Sequence, residues 1–171
     1  MTSQFSPKVS QILAFSREEA ARLASRSVGP EHLLLGMLRD KTGPVHELFV
    51  KSDINFQTIK EELEQKVHEE DFAQPLRTHK LVLNEKASNI LKLAVLEARI
   101  QATQMVDEQH LLLAILHDHV DNGAKEVLEF NNMNYEDALT YFRQKANSVS
   151  DGISMPDKEE DEDDGMLSIN G

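Results

Sequence analysis

The chain has 171 residues, a formal net charge of −12 and 40% hydrophobic residues, and it contains no cysteine. The lack of cysteine excludes disulfide bonds and thiol chemistry. No apolar run approaches the roughly 18 residues of a membrane span, and no basic stretch followed by an apolar one opens the chain. We therefore expect a soluble, cytoplasmic protein without a membrane partner.

The negative charge is concentrated at the carboxyl end. Residues 1–150 carry 17 basic and 22 acidic side chains, whereas residues 151–171 carry 1 and 8. The last segment repels itself and is poor in apolar residues, which predicts a disordered acidic linker. The rest of the chain has no basic face large enough to neutralise a phosphate backbone, which argues against nucleic acid as a partner.

Apolar residues recur at helical spacing through the first half of the chain. The first helix is predicted to begin at Ser6-Pro7, where a capping hydroxyl precedes a proline in the first turn. The pattern is broken at two Gly-Pro pairs, which end in Pro30 and Pro44. They predict the starts of a second and a third helix. A fourth helix is predicted over residues 56–68.

Residues 69–83 lack this rhythm and are predicted to connect two halves of the chain. An acidic run and the turn-prone Pro75 favour a connector, in which residues 78–83 could be extended. A second set of helices is predicted to start at Asn84, which is a good helix cap, as is Asp107 further along.

The chain repeats itself at an offset of 78 residues. Residues 6–40 and 84–118 align without a gap and are identical at 14 of 35 positions, and both contain His-Leu-Leu-Leu. The run that contains His-Leu-Leu-Leu is apolar on most sides in both copies, so it is predicted to form the central helix of each repeat. The predicted core of the repeats comprises His32, Leu33, Leu34, Leu35, Leu38, His110, Leu111, Leu112, Leu113 and Leu116.

We therefore predict an all-α fold of eight helices. Two four-helix repeats, each with a marginal core of its own, are expected to pack about a pseudo-twofold axis into one domain. The predicted boundaries are a double-repeat domain at residues 1–150 and a disordered acidic linker at 151–171, with repeat 1 at 5–68, the connector at 69–83 and repeat 2 at 84–148.

Residue patterns for catalysis are scarce. The chain has no glycine-rich phosphate loop, no G-x-S-x-G sequence and no cysteine nucleophile, so we predict neither an enzyme nor a bound cofactor. His110, His117 and His119 lie close together in sequence, but a metal site needs three or four convergent ligands, and His119 is turned away from the other two. The repeat-equivalent His32 and His110 are interpreted as packed side chains that bond a neighbouring group.

Glu31, in the first turn of the second predicted helix, has two interpretations. A carboxylate there favours the positive end of the helix dipole, which contributes roughly 0.3–1 kcal/mol. Alternatively, it is an exposed acceptor for a cationic group such as a guanidinium. The candidate binding residues are therefore those of the two acidic first turns, namely Pro30, Glu31, Asp107, Glu108 and Gln109.

Three phenylalanines form a second candidate surface. Exposed Phe15, Phe49 and Phe72 could line a peptide groove, but ordinary packing explains them equally well. Both interpretations remain open at this point.

At its paired motifs the chain resembles a known family. Ser6-Pro7-Lys8-Val9 and the segment from Val28 to Asp40 resemble the amino-terminal repeat domain of the Clp family of AAA+ unfoldases, most closely its ClpC branch. That family carries, twice, a Gly-Thr-Glu-His sequence followed by leucines. The resemblance covers residues 5–148, and the acidic stretch after them resembles the start of a linker towards an ATPase module.

The resemblance implies a mobile recognition domain on an ATP-driven hexameric ring. Such a domain receives adaptor proteins and unfolded or tagged protein substrates and hands them to the ring, which a proteolytic chamber commonly completes. ATP would be bound by downstream modules. Some ClpC relatives read phosphoarginine through the glutamate of each motif, a role that Glu31 matches here, whereas Gln109 stands in the second copy.

Two functions of other classes are also weighed. A stand-alone helical repeat protein would mediate interactions without any ATPase attached to it. A small hydrolase would have to use His32 and His110, for which the chain offers no partner nucleophile pattern.

Overall fold

The computed structural model describes residues 4–73 and 81–153. Those residues form eight α-helices and two short strands, in the order β1 (Gln4–Phe5), α1 (Pro7–Arg22), α2 (Pro30–Leu38), α3 (Pro44–Lys51), α4 (Phe56–Ala73), α5 (Glu85–Ile100), β2 (Met105–Val106), α6 (Glu108–Leu116), α7 (Gly123–Phe130) and α8 (Tyr135–Ile153). The predicted all-α fold of two four-helix repeats is confirmed, with α1–α4 in the first repeat and α5–α8 in the second. None of these described helices is both long and apolar enough to cross a bilayer.

The helices start at the predicted capping residues. Ser6 Oγ accepts a hydrogen bond from Val9 N at 3.1 Å, and Asn84 Oδ1 accepts one from Ala87 N at 2.9 Å. Such bonds satisfy N–H groups that the first turn of a helix leaves unpaired. Asp107 caps α6, so all three predicted caps are confirmed.

The predicted start of the connector is wrong. α4 continues to Ala73, so residues 69–73 are helical. The reason is that glutamates favour a helix and that the first helix breaker is Pro75, which disfavours the α conformation only in the residue before it. Residues 74–80, including part of the segment predicted to be extended, lie outside the described residues.

The last helix also runs past its predicted end. α8 continues to Ile153, so the first residues of the predicted acidic linker are helical, and residues 154–171 lie outside the described part of the chain. The described part of the chain divides into two units, one that ends at Ala138 and one that begins at Leu139. The interactions described below belong to the first unit, and the single domain expected over residues 1–150 stays a prediction.

The two central helices, α2 and α6, are buried almost completely. Every residue of α2 is buried, and so is every residue of α6 except Gln109. Leu33, Leu34, Leu111 and Leu112 have no exposed surface. Burying one such side chain stabilises a fold by about 1.5–3 kcal/mol. Because α2 and α6 contact each other as well as α1 and α5, one core serves both repeats.

Reciprocal backbone hydrogen bonds join the two repeats. Ser6 N donates to Val106 O at 2.8 Å, and its repeat equivalent, Asn84 N, donates to Val28 O at 2.8 Å. β1 and β2 pair in parallel, and Val28 forms the equivalent isolated bridge with Leu83. The entry to the first helix of each repeat is thus fixed against the segment before the second helix of the other repeat.

The first two helices approach each other closely at Gly36. A Cβ atom on Gly36 would lie 2.8 Å from both Ile12 O and Ser16 Oγ. Ser16 Oγ donates a hydrogen bond to Ile12 O at 2.7 Å, which holds these atoms in place. The equivalent residue of the second repeat is Ala114, which is fully buried. The first repeat therefore requires a smaller residue at this contact than the second.

We expect Gly36→Ala to lower the free energy of unfolding by about 1–3 kcal/mol, because the added methyl group overpacks a contact with backbone atoms. Helix propensity alone would favour alanine by roughly 1 kcal/mol, so the direction of the change distinguishes the two effects. The control Ala114→Gly should destabilise by about 1 kcal/mol. Urea unfolding measures both variants, and a Gly36→Ala variant more stable than the wild type would contradict the tight contact.

Candidate binding site at the amino termini of the central helices

His32 and His110 close the first turn of each central helix. His32 Nδ1 accepts a hydrogen bond from Gly29 N at 2.9 Å, and His110 Nδ1 accepts one from Asp107 N at 2.9 Å. An accepting Nδ1 on a neutral ring leaves the proton on Nε2, and His32 Nε2 donates to Ser25 Oγ at 2.9 Å. Burial lowers the pKa of His110, which favours the neutral ring. Both rings thus close the first turn of their helix, and His32 also joins it to Ser25.

The remaining histidines near α6 contact each other, and the His117 ring also packs edge-on against Tyr135. The rings of His117 and His119 are 5.1 Å apart, and His119 N donates to His117 Nδ1 at 3.1 Å. In the described ranges, 4–73 and 81–153, no group of three or more His, Cys, Asp or Glu side chains is placed to hold a metal ion.

Glu31 is buried, so of its two interpretations the exposed acceptor is wrong. Only 7% of its surface is accessible, and Pro30 beside it is also buried. Glu31 Oε2 accepts a hydrogen bond from Gly123 N at 3.1 Å, at the amino terminus of α7. Burial raises the pKa of the Glu31 carboxyl group. The cavity beside it measures about 10 Å³, which leaves space for about one water molecule and none for a guanidinium.

In the second repeat the comparable contact is made by Glu108, which aligns with Pro30, and not by Gln109, which aligns with Glu31. A Cβ atom on Gly43, which precedes α3, would collide with the Glu108 carboxylate. Glu108 Oε2 lies 3.7 Å from Lys8 Nζ, and Lys8 also pairs with Asp40. Burial raises the pKa of Glu108 to about 7, although the Lys8 ammonium opposes that rise.

The two buried carboxylates make reciprocal contacts between the repeats. Glu31 reaches the amino terminus of α7, and Glu108 reaches that of α3, where the positive end of a helix dipole favours a negative charge. Gly123 leaves room for Glu31 as Gly43 leaves room for Glu108, because a Cβ atom on either glycine would overlap the acid. Sequence reasoning missed both glycines as contact residues; the signal was a glycine next to the start of each third helix.

Asp107 forms a further link between the repeats. Its Oδ1 accepts a hydrogen bond from Ser6 Oγ at 2.9 Å. At the equivalent contact Asn84 takes the place of Ser6, and Gly29 that of Asp107, so the larger side chain is on the other partner. A Cβ atom on Gly29 would lie only 2.9 Å from Asn84 Nδ2. The two acidic first turns therefore hold the repeats together and do not form one exposed binding surface.

Exposed apolar side chains occur along α5 and at β2, which contact each other. Leu96 and Ile100 lie one turn apart on α5 and are 48% and 69% exposed. Met105 in β2 is 43% exposed. Leu96 and Ile100 are four residues apart and so share a helix face. We refer to these two residues, together with Met105 on the adjoining β2, as the apolar patch.

Of the three candidate phenylalanines, Phe15 and Phe49 do not line a groove together. Phe49 is 1% exposed and packs edge-on against Phe56 with ring centroids 6.1 Å apart, so its expected exposure is wrong. Phe15 is half-buried beneath the guanidinium of Arg39, 4.1 Å from its ring centroid. The side chain of Phe72 lies outside the described residues.

We expect Glu108→Gln to stabilise the protein near pH 8 by about 1–2 kcal/mol and to have little effect near pH 5. The folded-state pKa of about 7 exceeds the ordinary value of 4.5, so the folded protein binds this proton more tightly than the unfolded chain. Wild-type stability is therefore lost as the pH rises from about 4.5 through 7, and a neutral amide avoids that loss.

Urea unfolding at several pH values measures this effect. Glu129→Gln removes the same charge from an exposed position on α7 and should leave the pH profile unchanged. An equal effect of Glu108→Gln at pH 5 and pH 8 would contradict a buried, titrating carboxyl group.

Comparisons with known proteins agree with this geometry. The profile of the family described as the Clp repeat (R) N-terminal domain matches residues 4–130. ClpB of Oceanobacillus iheyensis is 29% identical over 118 residues, and ClpC/MecB of Bacillus subtilis, a negative regulator of genetic competence, is 25% identical over 119 residues. Each match covers 69% of this chain and 14% of the relative, so the chain spans about a seventh of their length.

Solved structures show the same fold at lower sequence identity. The N-terminal domain of the chaperone ClpD from Arabidopsis thaliana has a TM-score of 0.67 and 20% identity, covering 84% of this chain and 95% of that one. The N-terminal domain of Hsp104 from Candida albicans has a TM-score of 0.62 and 18% identity, covering 81% and 88%. The duplicated motif, the two four-helix repeats and the match over most of the described residues show that the chain belongs to the family of Clp repeat N-terminal domains.

Proposed function

We propose that this domain captures proteins for a Clp-family ATP-dependent unfoldase. Its partners would be adaptor proteins and unfolded or tagged protein substrates, which it delivers to an AAA+ ring in the cytoplasm. In the parent protein the ring would bind ATP and work with a proteolytic chamber, and this chain would bind proteins without a cofactor of its own. Membership in the Clp repeat family supports this proposal.

The single observation that carries the proposal is the apolar patch. Leu96, Ile100 and Met105 expose between 43% and 69% of their surface on adjoining elements. Clustered apolar side chains on the surface of a soluble fold commonly mark an interaction site. Unfolded proteins expose the apolar side chains that such a surface can bury on contact.

The buried Glu31 does not favour a phosphoarginine reader as the main function. Its carboxylate already accepts the Gly123 N–H and lies beside a cavity of about 10 Å³. A guanidinium would have to displace a contact between the repeats. The apolar patch requires no such rearrangement, because its side chains are already accessible.

We expect the double variant Leu96→Ser and Ile100→Ser to weaken binding of an unfolded protein by about tenfold or more. The probe is fluorescein-labelled, reduced and carboxymethylated α-lactalbumin, and the readout is fluorescence anisotropy with the chain as it stands. The physical reason is that serine removes apolar surface that the partner would otherwise cover.

Val50→Ser is the matched control, because Val50 is 60% exposed on α3, away from α5 in sequence and in the other repeat. It should leave the affinity unchanged. Equal binding by the double variant and the wild type, at unchanged thermal stability, would contradict a role for the apolar patch. Equal weakening by Val50→Ser would contradict a localised site.

A further inference from the structure

A second surface, separate from the apolar patch, is a cleft in the first repeat. It has a volume of about 490 Å³ and is lined by residues of α1, α2 and α4 together with Arg39 and Lys41, which follow α2. Its apolar surface is mainly Phe56, because Leu35 and Leu38, which also line it, are buried. We call it the basic cleft, because its lining also includes Arg22, Arg39, Lys41 and Lys60, against the single acid Glu19.

The two arginines of the basic cleft are already paired with carboxylates. Arg22 Nη2 lies 2.7 Å from Glu19 Oε1 and 2.6 Å from Glu64 Oε2. Arg39 Nη1 lies 2.9 Å from Glu18 Oε1 and 3.5 Å from Glu19 Oε2. These pairs fix the guanidinium groups in the wall of the cleft and offset much of their charge.

The two lysines carry the remaining positive charge. Lys41 Nζ donates to Leu38 O at 3.3 Å and lies 5.0 Å from the centroid of the Phe56 ring. Lys60 is exposed on α4. Within the part of the chain that the structure describes, neither lysine pairs with a carboxylate. α4 begins at Phe56, so the positive end of its dipole faces the same cleft.

The arginines of the basic cleft are specific to the first repeat. The residues equivalent to Arg22 and Arg39 in the repeat alignment are Ile100 and His117. The buried Glu19 has a buried equivalent, Glu97, in the second repeat. Glu97 accepts a hydrogen bond from the Tyr135 hydroxyl at 2.9 Å instead of facing arginines. The second repeat therefore folds without these cations. In the first repeat the arginines join helices through their ion pairs, so the two lysines are the cations left for binding.

We propose that the basic cleft binds an acidic, partly apolar segment of a partner protein. Carboxylates of the segment pair with Lys41 and Lys60, while an intervening apolar side chain packs on Phe56. The apolar surface of Phe56 argues for a polypeptide over a free phosphate, which would leave that surface uncovered. Since the chain as a whole carries a net charge of −12, only a local excess of cations can attract such a segment. This inference uses a different surface from the proposed function and does not depend on it.

The test is fluorescence anisotropy with a short fluorescein-labelled peptide in which pairs of glutamates alternate with single leucines. We expect saturable binding at low salt that weakens as ionic strength rises. The variant Lys60→Glu, and Lys60→Glu combined with Lys41→Glu, should each weaken binding by about tenfold or more, because each reverses a charge that faces the peptide. Both lysines are exposed, so thermal melts should match the wild type.

Lys92→Glu is the matched control, since Lys92 is exposed on α5 and undergoes the same charge reversal. It should leave binding unchanged, and a peptide with glutamine in place of glutamate should not bind. No saturable binding at low salt would overturn the proposal, as would equal weakening by Lys92→Glu. Displacement of the peptide by equimolar inorganic phosphate would identify a small-anion site instead and would also overturn it.

Discussion

The pair of backbone hydrogen bonds from Ser6 N to Val106 O and from Asn84 N to Val28 O is the constraint on which the structure depends. Each bond places the first helix of one repeat at the entry to the second helix of the other. The apolar sequences of α2 and α6 are thereby enclosed by both repeats, so that neither can be fully buried by its own repeat alone. These reciprocal contacts explain why a repeat whose own core is marginal forms a stable half of a larger unit.

The same reciprocal contacts determine which groups the acidic first turns of α2 and α6 can reach. Glu31 and Glu108 lie against the opposite repeat, where Gly123 and Gly43 leave space for them. Their carboxyl groups have raised pKa values because they are buried there. The packing is therefore nearly symmetric, while the exposed surfaces differ: the second repeat exposes Ile100 where the first has Arg22. An apolar patch and a basic cleft arise from divergence at positions that the shared core does not constrain.

Much of the fold could be predicted from the sequence because its causes are local. Helix starts follow from capping side chains such as Ser6, and the duplication identifies the two central helices. The pairing of β1 with β2 could not be predicted, since two residues are too few to show an alternating pattern. The burial of Glu31 could not be predicted either, because it depends on Gly123, 92 residues away in the chain. That Glu108, and not the aligned Gln109, makes the comparable contact likewise depends on three-dimensional packing, which the alignment does not show.

Native-state hydrogen exchange of the Leu34→Ala variant tests most directly whether the two repeats unfold as one unit. Leu34 has no exposed surface in α2, and its truncation should lower stability by about 2–5 kcal/mol. If one core serves both repeats, the free energy of exchange should fall by the same amount for the amides of α2 and for those of α6 around Leu112. Unchanged protection in α6, together with a loss of protection confined to the first repeat, would contradict reciprocal contacts between the repeats as the basis of the fold.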